Sequence, residues 1–384
     1  MTTNSRSAAA PLTGVKVLDL TRLLPGPLCG QYLSDLGAEV IKIEDTGAGD
    51  YARPAVRRLV NRGKQAIRLN LKTNQGKEIF HKLAKDADII LESFRPGTMQ
   101  RLGLGYEDLC PLNPRLVYCA ISGYGQTGPR RAQAGHDINF LALSGVLSQT
   151  GTEDQPVIPG FLIGDLAGGT LSAVSGILAA LLGARSTGHG RMVDVSMADS
   201  VLAQSVLPIA ELNENVPEPP RGAGTHTGGN AHYNVYETQD GRFLSVGAQE
   251  KKFWDIFCDA LERPDLKDRH THAVEANVQI KAEIAELIRL RPLKEWEQIF
   301  SPLDCCVSPV LSMTEATRDE QFHYRGTINR QGDVLSVGLP FQLSDFAVDY
   351  TRSSPSSGEH TQAVLAQLGY SRTDIQCLSE NGVI

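Results

Sequence analysis

The chain has 384 residues, of which 41% are hydrophobic and 21% charged, and it carries a net charge of −7. This length and composition predict a globular protein with two domains, or with one large domain and a smaller one. The negative net charge argues against sequence-independent nucleic-acid binding, which needs a surface rich in Lys and Arg. We therefore expect no nucleic-acid partner.

The cysteines and the apolar stretches indicate the kind of compartment. There are seven cysteines, an odd number, and no C-x-x-C pair, so reduced thiols are favoured over a disulfide framework or a zinc site. Apolar stretches such as residues 173–184 are short or interrupted by Gly and Ser, and the N-terminus lacks a basic-then-apolar pattern. We expect a cytoplasmic protein without membrane contact.

In chain order, the first third alternates between strand and helix patterns. Helices are predicted over residues 25–36 and 76–85, between apolar runs typical of buried strands. The predicted strands cover residues 15–20, 39–43, 65–71, 88–92 and 116–122. Short joints in this order indicate a parallel sheet, whose ligands bind beyond the carboxyl ends of the strands. No G-x-G-x-x-G follows the first strand, so neither NAD nor flavin is expected.

The rest of the chain predicts a second, smaller domain. Residues 168–182 and 193–206 are predicted helices, and the Pro/Gly-rich residues 216–229 follow them as a linker. Beyond the linker the prediction is two strands joined at Asp240-Gly241, then helices. These strands cover residues 234–238 and 243–247, and the helices cover residues 251–261, 280–290 and 358–369. Together they indicate an α+β domain and a final helix.

Three carboxylates and one histidine are candidate catalytic residues. His136 and Asp137 follow Gly135, Asp165 begins an Ala/Gly-rich segment, and Glu250 follows a predicted strand. Each also has a structural interpretation. A His-Asp pair before a helix is typical of a cap, an Asp at a helix start is typical of an N-cap, and a Glu there favours the helix dipole. With no i, i+4 pair of histidines, no metal site is expected.

A resemblance to a known family connects these residues. The chain resembles the class III CoA-transferases (CaiB/BaiF family) and the α-methylacyl-CoA racemases of that family over nearly its whole length. The shared motifs are Val17-Leu18-Asp19-Leu20, Pro25-Gly26-Pro27, Leu36-Gly37-Ala38-Glu39-Val40-Ile41-Lys42-Ile43-Glu44, Gly63-Lys64, Leu69-Asn70-Leu71-Lys72, Glu92-Ser93-Phe94-Arg95-Pro96-Gly97, Ser122-Gly123-Tyr124-Gly125-Gln126-Thr127-Gly128-Pro129, Gly188-His189-Gly190-Arg191-Met192-Val193-Asp194-Val195-Ser196-Met197 and Gly358-Glu359-His360-Thr361.

The resemblance implies an α/β fold, with a Rossmann-like large domain and a small α+β domain, in an interlocked homodimer. We expect residues 1–215 to form the first part of the large domain and residues 231–312 to form the small one. Linkers are expected at residues 216–230 and 313–340, with residues 341–384 returning to the large domain. Coenzyme A, as an acyl-CoA substrate, is the implied ligand.

Two reactions are implied, and they differ at His136. In the racemases, a histidine at the position of His136 and the aspartate at Asp165 exchange the α-proton of a 2-methylacyl-CoA. In the transferases, the aspartate is a nucleophile that forms an aspartyl-CoA intermediate. Glu250 resembles the glutamate that hydrogen-bonds the histidine, and Asp137 is expected to orient Asp165. A CoA-binding protein without activity is a third alternative.

The segment Thr227-Gly228-Gly229-Asn230-Ala231-His232-Tyr233 resembles the Asp-Gly-Gly-Ala segment of the racemases, with Thr in place of Asp and with Asn-Ala-His where the racemases differ. This resemblance favours racemisation over CoA transfer. Arg95 is the strongest candidate for a phosphate contact, because the planar fork of arginine suits phosphate. The residues implied in CoA binding are Leu69, Asn70, Leu71, Lys72, Phe94, Arg95, Arg101, Gly135 and Tyr124. Where relatives have an arginine this chain has Asp45, so a phosphate contact is expected to be missing or moved to Arg53 or Arg62.

Overall fold

The computed structural model describes residues 9–332 and 334–384. These residues divide into two compact units. Unit 1 holds the described residues through Ser144 together with Phe161–Gln204 and Glu320–Ile384, and unit 2 holds Gly145–Gly160 and Ser205–Asp319. Unit 2 therefore begins earlier than the predicted small domain and includes residues 145–160, which the sequence assigns to the large domain.

The strands and helices alternate through most of the described residues. The strands are β1 (Lys16–Asp19), β2 (Glu39–Glu44), β3 (Gln65–Arg68), β4 (Ile89–Glu92), β5 (Val117–Ser122), β6 (Met192–Ser196), β7 (Tyr233–Glu237), β8 (Phe243–Gly247), β9 (Val307–Pro309), β10 (Ile328–Gln331) and β11 (Val334–Val337). The helices are α1 (Pro25–Asp35), α2 (Pro54–Val60), α3 (Asn74–Lys85), α4 (Thr98–Leu102), α5 (Tyr106–Leu109), α6 (Asp137–Leu143), α7 (Val146–Gln149), a π-helix (Ile163–Leu171), α8 (Ser172–Thr187), α9 (Met197–Gln204), α10 (Val206–Asn213), α11 (Lys251–Ala260), a 3₁₀-helix (Pro264–Arg269), α12 (Val274–Ile288), α13 (Leu293–Phe300), α14 (Met313–Ala316), α15 (Glu320–Tyr324), α16 (Thr361–Gln367) and α17 (Arg372–Glu380).

Unit 1 is built on a six-stranded parallel sheet with the strand order β3-β2-β1-β4-β5-β6. The order reverses between β1 and β4, so the loops after these two strands leave the sheet on either side of a switch point, where ligands bind in folds of this kind. The predicted α/β class with an additional antiparallel part is confirmed.

The sheet is covered on both faces because successive side chains of a strand point to opposite sides. On β1, Val17 belongs to a core that includes residues of α1 and α8, while Leu18 belongs to a second core that includes residues of α3, α16 and α17. Phe80 of α3 is fully buried in the second core. Burial of such a side chain stabilises the fold by about 1.5–3 kcal/mol.

The helix predicted over residues 193–206 is wrong at its start. Residues Met192–Ser196 form β6, which pairs with β5 in parallel register, and α9 begins only at Met197. Val193 and Val195 both pack into the same core of unit 1. Val193 and Val195 are β-branched and lie two residues apart, which favours a strand. Pairing of this edge strand with β5 overrides the local sequence pattern that predicted a helix.

The C-terminal residues hold β3, the other edge of the sheet. His360 donates its backbone N–H to the Ala66 carbonyl at 2.8 Å, and its Nδ1 accepts the Ala66 N–H at 3.2 Å. Further along, Asn70 N–H donates to the Val383 carbonyl at 2.8 Å. His360 thus has a structural role at this edge, where unpaired backbone groups would otherwise be exposed.

Residues 313–340, predicted as a linker, contain regular structure within the described part. They carry α14, α15 and the antiparallel pair β10–β11. The side chain of Ser312 accepts the Glu315 N–H, and the side chain of Glu315 accepts the Ser312 N–H. These two reciprocal bonds form a capping box at the N-terminus of α14. Local capping of this kind explains why a helix begins in a segment with few apolar residues.

Unit 2 has a three-stranded antiparallel sheet in the order β7-β8-β9. Its core is aromatic, with Trp254 and Phe257 of α11 beside Trp296 and Phe300 of α13. Both tryptophan N–H groups are satisfied, since Trp254 Nε1 donates to the Leu266 carbonyl and Trp296 Nε1 to the Ile288 carbonyl.

One helical stretch of the described residues, 163–187, is long and apolar enough by length and composition to cross a membrane. The expectation that the apolar stretches are too short is therefore wrong. One such stretch is weak evidence for a membrane span, since the core helix of a soluble protein has the same composition. Here Ile177 and Leu181 of α8 are buried in the core of unit 1.

Candidate active site

The loop after β5 sets the position of the predicted histidine. The Tyr124 ring meets the Phe140 ring edge to face, with centroids 5.3 Å apart. A Cβ at Gly135 would lie 2.8 Å from both Tyr124 Oη and Phe140 Cε1, closer than carbon atoms approach without displacement. Glycine at residue 135 therefore lets the chain pass these two rings immediately before His136.

His136 is the residue before α6, and its imidazole is exposed. Its backbone N–H donates to Asn139 Oδ1 at 2.9 Å, and its carbonyl accepts the Asn139 N–H at 2.8 Å. These bonds satisfy backbone groups that a helix start leaves free. The backbone of His136, and not its imidazole, therefore serves the cap, which leaves the ring available for chemistry.

Asp165 lies in the first turn of the π-helix, three residues after the N-cap residue Leu162. The interpretation of Asp165 as an N-cap is therefore wrong. Within unit 1, no described residue donates a hydrogen bond to its carboxylate. π-Helical turns are rare and frequently occur at functional sites, and a half-buried carboxylate without a donor is suited to chemistry.

Asp137 connects the two candidate residues. Its carboxylate is buried and accepts the backbone N–H of Asp165 at 2.9 Å. A Cβ at Gly164 would lie 3.0 Å from Asp137 Oδ1 and 3.3 Å from Phe140 Cβ, so the absence of a side chain there allows the close approach. Asp137 thus binds the backbone of Asp165 and holds the start of the π-helix against α6, next to His136.

The pKa of the Asp165 carboxyl is raised above its ordinary value. Burial and the negative charge of Asp137 raise the pKa of Asp165, the charge of His136 lowers it, and the net result is a pKa of about 6. Removing a carboxylate from water disfavours its charged form. A group with this pKa exchanges protons readily near neutral pH, as general acids and bases must.

Glu250 is the N-cap residue of α11 in unit 2, where its carbonyl accepts the Phe253 and Trp254 N–H groups. Its side chain is exposed. The hydrogen bond between Glu250 and His136 that the resemblance implies stays a prediction.

The residues implied in CoA binding lie along the carboxyl edge of the sheet of unit 1. Leu69 is buried after β3, where its N–H donates to the Glu44 carbonyl, and Leu71 packs against the core. Lys72 is exposed, with Asn70 Oδ1 accepting its backbone N–H. Phe94, Arg95 and Arg101 follow β4, and Gly135 and Tyr124 follow β5. Their role in binding stays a prediction.

Two cations that precede β3 serve the fold. Lys64 is buried and donates to Asp19, to Asn61 and to the Pro27 carbonyl. Arg62 is buried against Asp35, with 2.6 Å between Arg62 Nη2 and Asp35 Oδ2. Arg62 is therefore engaged in an internal ion pair. Of the two residues expected to take over the phosphate contact, this leaves Arg53, which is exposed.

Two groups at this edge were missed by the sequence analysis. Burial raises the pKa of Glu92 to about 8, with the Phe94 N–H opposing the shift and the charge of Asp194 adding to it, so Glu92 is protonated at neutral pH. Arg22 follows β1 and pairs with Asp45 at 2.9 Å. In the sequence, the only available signal for Arg22 was a cation two residues past the end of the strand predicted over residues 15–20. Nothing in the sequence signals a protonated Glu92.

Within the described ranges, no group of three or more His, Cys, Asp or Glu side chains is arranged to hold a metal ion. In unit 1 the Asp137 carboxylate holds the Asp165 backbone, and His136 lies next to Asp137 at the start of α6.

Comparisons with known proteins identify the family of the chain. Residues 12–361 match the family described as CoA-transferase family III. The chain is 36% identical to human α-methylacyl-CoA racemase, covering 97% of both chains. It is 35% identical to mouse succinyl-CoA:glutarate CoA-transferase, covering 97% of this chain and 90% of the relative. A solved CaiB/BaiF family protein from Brucella suis superposes with a TM-score of 0.81 at 28% identity, covering 93% of this chain and 99% of that one. The chain belongs to CoA-transferase family III, a family of enzymes that act on CoA thioesters.

Proposed function

We propose that the protein epimerises 2-methylacyl-CoA thioesters by transferring a proton between the two faces of the α-carbon. The observation that carries this proposal is the Asp137 carboxylate, which binds the Asp165 backbone next to His136 and helps raise the pKa of Asp165 to about 6. The similarity to α-methylacyl-CoA racemases over the whole chain supports it.

The reaction needs two groups in complementary protonation states. A neutral His136 takes the α-proton from one face of the thioester, and the electron pair of the C–H bond moves into an enolate. A protonated Asp165 then returns a proton to the opposite face, which inverts the centre. The enzyme is left with a charged imidazole and a carboxylate, and solvent exchange restores the starting state.

The alternative is CoA transfer between carboxylic acids through Asp165. Its carboxylate would attack the thioester carbonyl, forming a mixed anhydride and releasing the CoA thiolate, and that thiolate would attack the aspartyl carbonyl, releasing the donor acid as a carboxylate and leaving an aspartyl-CoA thioester. The acceptor carboxylate would attack this thioester in the same way, giving a second anhydride and CoA thiolate, and attack of the thiolate on the acceptor carbonyl would form the new acyl-CoA and free the Asp165 carboxylate. The absence of a hydrogen-bond donor to the Asp165 carboxylate within unit 1 favours this role, because a free carboxylate is the better nucleophile. The succinyl-CoA:glutarate and formyl-CoA:oxalate transferases among the relatives support it. A CoA-binding protein without activity is the least favoured proposal.

One experiment separates these proposals. The protein is incubated with a single epimer of a 2-methylacyl-CoA in deuterated water without any added acid, and α-deuterium and optical purity are followed by mass spectrometry and NMR. Racemisation predicts deuterium uptake with loss of optical purity. If neither occurs while CoA moves from succinyl-CoA to an added carboxylate, the transferase is correct.

Variants sharpen the distinction. Asp165→Ala abolishes either activity, so full activity of this variant contradicts both enzymatic proposals. His136→Ala abolishes racemisation and leaves CoA transfer largely intact. The matched control is His81→Ala, the same change at a half-buried histidine of α3, which is expected to retain wild-type rates in both assays.

We also propose that the active form is a homodimer. Helix α10 has no buried residue in the described structure, and its apolar side chains are open to solvent, with Val206 65% and Leu207 55% exposed. Contiguous exposed apolar surface is typical of a protein–protein contact. Light scattering coupled to size exclusion checks the mass, and Leu207→Glu is expected to shift it toward the monomer.

A further inference from the structure

Three loops meet at the switch point of the parallel sheet in unit 1. The Arg22 backbone N–H in the loop after β1 donates to Ser93 Oγ in the loop after β4 at 3.1 Å. The Leu23 N–H donates to the Asp50 carbonyl in the loop after β2, also at 3.1 Å. Loops at the carboxyl ends of β1, β2 and β4 are thus tied together where folds of this kind bind ligands.

The Arg22 guanidinium lies against two aromatic rings at this point. Its Cζ lies 4.7 Å from the centroid of the Tyr51 ring and 4.9 Å from the centroid of the Phe94 ring. Attraction between a cation and an aromatic face is worth about 0.5–1 kcal/mol at an exposed site, and two rings add to it. Holding the long arginine side chain in advance lowers the entropy that binding must remove.

Asp45 occupies only part of the donor capacity of Arg22. The ion pair joins Arg22 Nη2 to Asp45 Oδ2 at 2.9 Å, and the two side chains remain 33% and 29% exposed. The Tyr51 hydroxyl, which donates to Asp45 Oδ2, also hydrogen-bonds the Arg22 side chain. The guanidinium has more N–H donors than these two acceptors use, and arginine holds an anion best with two parallel bonds.

Asp45 is kept ionised by its surroundings. Partial burial would raise its pKa, but hydrogen bonds from the Tyr51 hydroxyl and from the Gly49 and Gly47 amides, with the charge of Arg22, lower it below the ordinary value. The charged carboxylate neutralises Arg22 when no ligand is bound. It also repels a phosphate that approaches the same guanidinium.

The backbone at this cluster is strained on both sides. Leu23 and Tyr51 adopt φ values of 68° and 60°, in the left-handed region that disfavours residues with side chains. Leu23 is 51% exposed and Tyr51 53% exposed. Exposure shows that core packing does not impose this conformation. Strain that persists at an exposed site is typical of a ligand-binding loop.

We propose that Arg22 binds a phosphate of the CoA nucleotide and that Asp45 is the internal anion which this phosphate replaces. This inference rests on the proposed function in taking CoA as the ligand. It assigns a phosphate contact to a residue on the loop after β1, in place of the displaced contact sought at Arg53 or Arg62. It also makes Asp45 a determinant of CoA affinity, since the carboxylate competes with the ligand.

The test compares three ligands by isothermal titration calorimetry: CoA, 3′-dephospho-CoA and pantetheine. Arg22→Gln is expected to weaken CoA binding by about 10-fold to 100-fold, the range for loss of a charge-assisted hydrogen bond, and to leave pantetheine binding unchanged. Asp45→Asn removes the competing charge and is expected to strengthen CoA binding by about threefold to tenfold. Thermal unfolding of both variants checks that they fold.

The ligands also identify the phosphate. If Arg22→Gln weakens the binding of CoA but not that of 3′-dephospho-CoA, Arg22 contacts the 3′-phosphate. If the variant weakens the binding of both ligands, Arg22 contacts the pyrophosphate. The matched control is Arg115→Gln, the same change at an exposed arginine next to the amino end of β5, which is expected to bind CoA as the wild type does.

Four results would overturn the proposal. If Arg22→Gln binds CoA as tightly as the wild type does, Arg22 does not contact a phosphate. If Arg22→Gln loses as much affinity for pantetheine as for CoA, the variant only disturbs the fold. A loss in Arg53→Gln without one in Arg22→Gln moves the contact to residue 53. If the wild-type protein itself binds no CoA, the proposed function falls as well, and this outcome is distinguishable because it does not depend on any variant.

Discussion

The buried carboxylate of Asp137 accepts the backbone N–H of Asp165 at 2.9 Å. This bond joins α6, which begins next to His136, to the π-helix that carries Asp165. Asp137 also acts through its charge, since it helps to raise the pKa of Asp165. Two variants at one residue can therefore separate the mechanical effect of the bond from the electrostatic effect of the charge.

Asp137→Ala is expected to lower kcat/KM by about 10-fold to 100-fold, because a buried N–H that loses its acceptor costs about 1–3 kcal/mol and the start of the π-helix is released. Asp137→Asn keeps an acceptor oxygen and removes the charge. The lower pKa in its pH–rate profile is expected to move to a more acidic pH, with a smaller loss in rate. Equal rates and profiles for the two variants would contradict this separation of roles.

Asp165 is expected to reduce the stability of the protein above pH 6. The pKa of its carboxyl is raised to about 6 in the folded state, against about 3.9 for an unperturbed Asp. The folded state therefore binds the proton more tightly, and the free energy of unfolding falls as the pH rises from about 4 to about 6. Asp165→Asn removes this charge and is expected to stabilise the protein at pH 7.5 by about 1–2 kcal/mol, after allowance for its partial exposure.

The measurement is urea unfolding of Asp165→Asn and wild type at pH 7.5 and pH 4. The gain is expected at pH 7.5 and should be nearly absent at pH 4, where the wild-type carboxyl is also neutral in the folded state. Asp86→Asn, at an exposed aspartate that follows α3, serves as control and should change neither value by more than about 0.5 kcal/mol. A gain that is equal at both pH values would contradict the assignment to ionisation.

The buried ion pair of Lys64 and Asp19 is a structural element of unit 1. Lys64 Nζ lies 2.8 Å from Asp19 Oδ2, and both side chains are fully inaccessible to solvent. Lys64→Met leaves the Asp19 charge buried without its cation and is expected to cost about 3–5 kcal/mol in the free energy of unfolding. Far-ultraviolet circular dichroism in urea measures this loss.

The double variant Asp19→Asn/Lys64→Met is the informative control for the ion pair. It removes both charges and is expected to be more stable than Lys64→Met alone, since no unpaired charge stays buried. Lys85→Met, at an exposed lysine in the last turn of α3, is expected to have an effect within about 0.5 kcal/mol. A double variant less stable than Lys64→Met would show that packing, and not charge, dominates.

Unit 2 is expected to lose stability in acid through a cluster of three histidines. The rings of His232 and His270 lie 4.3 Å apart between centroids, and His272 lies 5.1 Å from His232. Burial, together with the charges of His270 and His272, lowers the pKa of His232 to about 4. The unfolded chain then binds the proton more tightly, so the free energy of unfolding falls as the pH drops from about 6.5 to about 4.

Tryptophan fluorescence monitors this effect, because both tryptophans of the chain, Trp254 and Trp296, lie in the core of unit 2. His232→Phe removes one ionisation and is expected to reduce the loss of stability between pH 7 and pH 4.5 by about 1–3 kcal/mol. His226→Phe, the same change at an exposed histidine of unit 2, is the matched control. An acid-induced loss as large in His232→Phe as in wild type would refute this assignment.

The sequence by itself determined the parallel sheet and the identity of the candidate catalytic residues. Local patterns carry this information, because apolar runs, helix periods and short joints depend on neighbouring residues. The Gly135-His136-Asp137 segment and Asp165 are likewise short local motifs. The same reasoning failed at β6, where pairing with a distant strand overrides a helix pattern.

Only the tertiary structure decided how these residues act on one another. Asp137 and Asp165 are 28 residues apart in sequence, and Arg22 is 23 residues from Asp45 and 71 from Ser93. No local pattern encodes such distances. The shifted pKa values of Asp165 and Glu92 arise from burial and from charges brought near by folding, and desolvation is a property of the packed molecule, which no short segment of sequence possesses.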